Sequence, residues 1–331
     1  MGLKQSLVVG TAVLGLGVAP AALAAGGDVY QTVFNQVDRA HMTQLLKDMT
    51  GQNPVTVGGE TFSIKDRYLP ASKANYRKYW TDYMQRRLGL QVRELTYDSS
   101  FNIEAQGHDL EAVLPGKSKD SIVIIVHYDS MGPHGADNEA VDDDMTGMSE
   151  LMETARLLVQ YKDQLHYTVR FVAADYEEWG GLEGARYYAQ TIQSESQAQG
   201  FKILNAIDDE QSGWKEGDDV FDVFDCGGDT DSTTLGKLLI DTAKTYGKLG
   251  TKEGCMGENS DHYAMWEIGV PAVVFSEHDP FNNDHFDHAG GDTFDKIDLD
   301  YWFQIAQVGV TFAARVVGLD QPAARAVAAA D

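Results

Sequence analysis

The sequence predicts an α/β protein of three layers, α/β/α, with a mixed, mostly parallel central sheet flanked by helices. Three observations lead there. "SIVIIVHYDS", from Ser121, is continuously apolar up to His127, as in a strand buried on both faces. "YTVRFVAADYEE", from Tyr167, is a second run of this kind. Between them, "TGMSELMETARLLVQY" sets Met148, Leu151, Met152, Ala155, Leu158 and Val159 at helical spacing. Strand, helix, strand is the repeating unit of a sheet covered on both faces.

The remaining elements follow along the chain. Residues 1–24 read as a signal peptide, because Lys4 precedes an apolar run and Ala22-Leu23-Ala24 forms a small-residue cleavage site. A membrane anchor fits less well, since the run is short, glycine-rich and has no charged stop after it. No later segment is apolar enough to span a bilayer, so an exported protein, periplasmic or secreted, with no span in its mature form is expected. Residues 29–50 read as helical and 70–88 as a second helix. "LQVRELTYD", "FNIEAQG" and "LEAVLPG" read as three strands. "FKILNAIDDE" and "GVPAVVFSEHD" add a third and fourth buried strand, and "LDYWFQIAQVGVTFAARVVG" a closing helix with Gly318 as its C-cap. No linker-like stretch divides the chain, so one domain is expected over residues 25–319, with a flexible Ala-rich tail at 320–331.

At 331 residues and 43% hydrophobic, the chain can bury a large core. Its 51 acids against 26 bases, a formal charge of −25, argue against nucleic-acid binding, which wants a basic face. Most of that excess is solvated surface, though acids also draw cations and metals. Cys226 and Cys255 are too few for a disulfide scaffold. An oxidising compartment permits them to pair, but their spacing does not decide it.

In open α/β sheets, sites form beyond the carboxyl ends of the strands. Here those ends carry His127 and Asp129, the adjacent Glu177 and Glu178, and Asp208 with Asp209. Asp142, Asp143 and Asp144 precede a helix, and His285 and His288 lie near the C-terminal end. Each has a plain reading alone: a strand-end histidine is usually a satisfied core residue, and acids before a helix are usually caps. Together they bring imidazoles and carboxylates to one sheet edge, a mixture that suits borderline divalent cations.

These motifs resemble the di-zinc exopeptidases that include bacterial leucine aminopeptidases, with glutamate carboxypeptidase and glutaminyl cyclases as relatives. The matching residues are His127-Tyr-Asp129, Asp143-Asp-Met-Thr-Gly147, Glu177-Glu178, Asp208, and His288 four residues before Asp292-Thr293; Ser260-Asp261-His262 also fits. The resemblance implies two Zn²⁺ ions bridged by Asp143, one also bound by His127 and Asp208, the other by Glu178 and His288. It implies Glu177 as general base toward a metal-bridging hydroxide, with Asp129 and Asp292 as supporting residues. Asp142 competes with Asp143, though the distance to Thr146-Gly147 favours Asp143, and Asp209 competes with Asp208. Where many members carry Tyr before the last His, this chain has Asp287, which leaves the oxyanion donor unassigned.

The expectation is a zinc-dependent aminopeptidase acting on peptides with a free N-terminus. Acidic surroundings suit an α-ammonium, whereas a carboxypeptidase wants arginines near the metals, and Arg186 alone stands close to a site motif. A glutaminyl cyclase, a transferase with one zinc, is the nearest enzymatic alternative. A catalytically dead binding protein would have lost ligands that this chain keeps.

Overall fold

Two helices form where the apolar spacing suggested one. In the computed structural model, which describes residues 28–101, 103–131, 139–179, 181–226, 230–282 and 291–319, α1 (Val29–Gln36) and α2 (Arg39–Met49) are split at Val37 and Asp38. Asp28 and Asp38 are extended and cap the two starts, accepting from the N–H of Tyr30 and from those of Ala40 and His41. The second cap breaks the run. The expected signal peptide and C-terminal tail lie outside the described residues.

A short hairpin, β1 (Val55–Val57) and β2 (Glu60–Phe62), follows, then α3 (Pro70–Thr81), which continues as a π-helical turn over Asp82–Arg87. Then come β3 (Gln91–Asp98) and β4 (Gln106–Leu114). The separate strand expected at "FNIEAQG" does not form. Ser99 N–H bonds to the Ala105 carbonyl at 3.1 Å and closes a hairpin across that stretch, and the apolar Phe101 packs on Tyr176 and Trp179 rather than joining a ladder. Residues 110–114, the first five of "LEAVLPG", are the second half of β4.

The rest alternates: β5 (Ser118–His127), α4 (Gly147–Gln160), β6 (Tyr167–Ala174), α5 (Glu183–Gln199), β7 (Ile203–Asp209), β8 (Val220–Phe224), α6 (Thr230–Tyr246), β9 (Gly250–Gly254), α7 (His262–Glu267), β10 (Ala272–Ser276) and α8 (Leu299–Val317). The eight-stranded sheet has the order β3-β4-β6-β5-β7-β10-β8-β9. Strands β6, β5, β7 and β10 run parallel, as do β8 and β9, while β3, β4 and the β10–β8 pair supply the antiparallel joints.

The unbroken apolar run of β5 has a direct cause. Successive side chains of a strand point to opposite faces. Ile122, Ile124 and Val126 enter the larger core under α4 and α8, and Val123 and Ile125 enter the smaller one under α5 and α7. A strand covered on both faces has no solvent side on which to place polar residues. Helix α8 is buried along most of its length and ends at Gly318, whose φ of +74° is a glycine conformation. Among the described residues, no helix is long and apolar enough to cross a membrane.

Cys226, just after β8, and Cys255, just after β9, form a disulfide with Cα atoms 5.2 Å apart and a sequence separation of 29. It staples the edge pair of the sheet. Closing a loop of that length stabilises by about 3–4 kcal/mol through the unfolded chain. Replacing both cysteines by serine is therefore expected to lower the unfolding free energy by about 3 kcal/mol in urea titration; an unchanged midpoint would show that the staple contributes nothing to global stability.

Candidate metal centre

The parallel trio β6-β5-β7 brings three strand ends side by side, and each continues into a short polar segment. His127 is the last residue of β5, Glu177 and Glu178 follow β6, and Glu210 follows β7. The chain then reaches over from the loop before α4 to supply Asp142, Asp143 and Asp144.

His127 is the hub. Its Nε2 lies 3.0 Å from Asp143 Oδ1 and 3.7 Å from Glu210 Oε1, and its Nδ1 lies 3.6 Å from Asp129 Oδ1. Two groups of potential ligand atoms, each within 4.8 Å of one another, share this ring: His127 with Asp143 and Glu178, and His127 with Asp144 and Glu210. All five side chains are buried.

Asp208 is placed differently. One of its oxygens accepts from Ser260 Oγ at 2.9 Å and from the His262 N–H at 2.9 Å. Glu210 lies on the same face of the strand line, two residues on, and Ser260 Oγ reaches it as well, at 2.6 Å. Glu210, not Asp208, is the β7-end acid beside His127. Sequence reasoning passed over it, although the period of two that marks Asp208 as facing the site marks Glu210 equally. Asp209 points the other way and pairs with Ser212 Oγ at 2.5 Å.

The supporting residues act mainly on backbone. Asp292 accepts from the N–H of Asp142 at 2.9 Å and of Asp143 at 3.0 Å, which fixes the approach of the acid run. Asp129 accepts from the Glu177 N–H at 3.0 Å and so ties the β6 end to the β5 end. Met131 N–H donates to Glu178 at 3.1 Å, and Gln211 Nε2 to Asp143 at 2.9 Å. Gly147 has Asp144 and the Asp209 carbonyl so close that a Cβ would overlap them, the steric reason for Thr-Gly at the start of α4. His134, His285 and His288 lie outside the described residues.

Two buried cations from the lead-in hold this frame. Arg67, fully buried, donates Nε to the Tyr128 carbonyl (3.2 Å), Nη1 to those of Met49 (3.2 Å) and Glu139 (2.9 Å), and Nη2 to that of Ala140 (2.6 Å). One guanidinium thus joins the end of β5 to the loop that carries the acid run, where Ala140 is held at a φ of +44°. Lys73 lies 2.5 Å from Asp175 and 3.7 Å from the centre of the Tyr176 ring, and Tyr176 turns the chain into Glu177 at a φ of +60°. Burial is the largest influence and works against the Lys73 ammonium, but Asp175, Asp129 and Tyr176 together raise its pKa above the ordinary lysine value.

The site groups shift one another's charge states. Burial pushes the carboxyls of Glu177, Glu178 and Asp144 well above the usual range, neighbouring acids add to the effect, and His127 opposes it. For His127 the sign is reversed: burial lowers its pKa, yet Glu177 and the contacts to Asp129, Asp143 and Glu210 drive it well up. One oxygen each of Asp144 and Asp208 lies buried without a hydrogen-bond partner, and both ring nitrogens of His127 face carboxylate oxygens. Buried anionic oxygens and imidazole nitrogens left open toward one another form a donor set that fits a divalent cation.

The profile of Peptidase family M28 matches residues 109–313. The chain belongs to peptidase family M28. Among curated relatives, a probable leucine aminopeptidase of Trichophyton verrucosum is 22% identical over 61% of this chain, which spans just over half, 55%, of that relative. Leucine aminopeptidase 1 of Sclerotinia sclerotiorum is 25% identical over 80% of this chain and 70% of its own length. Of solved structures, the LapA aminopeptidase of Legionella pneumophila superimposes with a TM-score of 0.68 at 20% identity, over 88% of this chain and 75% of that one. A glutaminyl cyclase of Bacteroides thetaiotaomicron gives 0.64 at 17% identity, over 84% of this chain and 97% of that one. At these identities the superpositions establish a shared fold. M28 membership places this chain among peptidases, and its curated relatives are leucine aminopeptidases.

Removing one partner of a buried ion pair typically costs about 3–5 kcal/mol. Lys73→Met should lose stability on that scale, whereas adding Asp175→Asn should cost less than the sum of the single changes. Strict additivity in a double-mutant cycle by denaturant unfolding would show that Lys73 and Asp175 are not coupled.

Proposed function

We propose that this M28 chain is an exported zinc aminopeptidase that removes residues from the free N-terminus of peptides. The observation that carries the reading is the meeting of His127 with Asp143, Glu178 and Glu210 at three adjacent strand ends. The donors fit Zn²⁺, and two ions would share Asp143 as a ligand. His127 and Glu210 would complete one site, with Asp208 beside it rather than in it, and Glu178 and His288 the other. Bound there, the ions would polarise the scissile carbonyl and lower the pKa of the attacking water.

The protein's own groups do the rest. Glu177, partly exposed next to this hollow and with its pKa raised by burial, takes the proton from the attacking water and later delivers it to the leaving amine. Asp129 holds the Glu177 backbone and faces the outer nitrogen of His127, which orients both. The acid excess around the site attracts an α-ammonium and repels a peptide's carboxyl terminus. Export is supported by the Cys226–Cys255 disulfide, which persists in oxidising compartments.

Glu177→Gln should keep its metal and lose activity by roughly a hundredfold or more, the scale of general-base catalysis. Glu210→Ala should release a metal more readily to a chelator than Asp208→Ala does, read by elemental analysis; the reverse order would return Asp208 to the ligand set. Two metals per chain are expected, and one would favour the cyclase alternative. The reaction is tested on one peptide in free, N-acetylated and C-amidated forms. Acetylation should abolish cleavage and amidation should be tolerated. Loss on amidation alone would make the enzyme a carboxypeptidase.

A further inference from the structure

The two flanks of the proposed site differ in chemistry. Toward β7 lie Asp208, Glu210 and Asp261, all buried, and neither carboxylate oxygen of Asp261 has a hydrogen-bond partner. Toward β6, the residue after Glu178 begins an aromatic surface. The Trp179 ring lies 5.7 Å from Tyr68 and 5.8 Å from Phe101, and Phe101 stacks at 5.5 Å on Tyr176. Three chain segments, distant in sequence, converge to make it. A cluster that merely sealed the strand end would bury its rings. Here Tyr68, Phe101 and Trp179 are only half-buried, and the neighbouring Leu69 is 47% exposed. Apolar surface left open beside reacting groups marks a place where something apolar docks.

We propose that this aromatic wall is the subsite for the side chain of the substrate's second residue, on the leaving side of the scissile bond, and that it selects apolar and aromatic residues there. The inference rests on the aminopeptidase reading. Charge sets the direction of the peptide. Glu178 at the β6 end is a proposed ligand and Glu177 the proposed base. The α-ammonium therefore goes to Asp261 on the β7 flank, whose two oxygens have no hydrogen-bond partner, and the chain beyond the scissile bond runs toward β6. Position agrees. Glu177, which protonates the leaving amine, lies between Tyr176 and Trp179, both of which pack on Phe101, so the side chain attached to that amine meets this wall. Polar and acidic second residues would strip water from their own groups against the rings and gain no partner.

The test fixes an N-terminal Leu and varies the second residue among Phe, Leu, Gly and Asp, with kcat/KM measured by chromatography on the zinc-loaded protein. Phe and Leu should exceed Gly by roughly tenfold or more, the scale of burying one large apolar side chain. In Trp179→Ala that Phe-to-Gly ratio should fall toward one, mainly through KM. Phe101→Ala should lower it too, and carries the test if Trp179→Ala does not fold. A wild-type enzyme indifferent to the second residue overturns the proposal, as does an unchanged ratio in folded variants. A variant in which only the N-terminal preference moves also overturns it, since the wall would then serve the other side of the bond. Failure to cleave any peptide with a free N-terminus would instead strike at the aminopeptidase reading itself.

Discussion

Mutual repulsion among buried carboxylates is the constraint around which this molecule is arranged. Asp129, Asp143, Asp144, Glu178 and Glu210 lie buried around His127, and Asp208 and Asp261 lie buried beside Ser260 and His262. Uncompensated, such a group of charges would take up protons or open the fold. The chain answers with fixed dipoles first. Backbone N–H groups of Met131, Asp142, Asp143, Glu177 and His262 each point at a carboxylate, and Ser260 serves two. Whole cations come second, and they stand back from the centre: Lys73 neutralises Asp175, and Arg67 spends its donors on carbonyls. The centre keeps its carboxylates around the His127 ring, a donor set that fits a divalent cation.

How much of this the sequence discloses depends on the range of the interaction. Buried strands were legible because two-sided burial forces an uninterrupted apolar run, as in β5. Helices α4 and α8 were legible from apolar periodicity. The break between α1 and α2 was not, because one capping aspartate overrides a pattern that runs straight through it. The phantom strand at 101–107 misled because Phe101 is apolar for the sake of a tertiary aromatic contact. Strands β8 and β9 and helices α5, α6 and α7 have weaker patterns and went unread.

Within the site, residue types at strand ends were readable, and their exact partners were not. Asp208, Asp209 and Glu210 are consecutive acids, and only three-dimensional placement separates a residue bonded to Ser260 and His262 from one that reaches His127. Glu178 and Glu177 are separated in the same way, one buried against Met131 N–H and one partly open. The positively charged clamp was wholly unreadable. Nothing in "KDRYLP" shows that Arg67 will bond to carbonyls of residues 49, 128, 139 and 140.

That clamp bears on where the working unit begins. The stretch shared with the family starts at Asp109 and holds every proposed ligand and the proposed base. Arg67, Lys73 and Tyr68 all precede it. The family profile therefore outlines the part of the molecule that holds the proposed ligands and base, while the packed unit is larger. A fragment cut at the family boundary would inherit the full set of reactive side chains and none of the groups that tie the β5 end to the acid loop. In this chain the lead-in is best regarded as the keystone of the active centre, sharing no reactive atom with it and bearing its thrust.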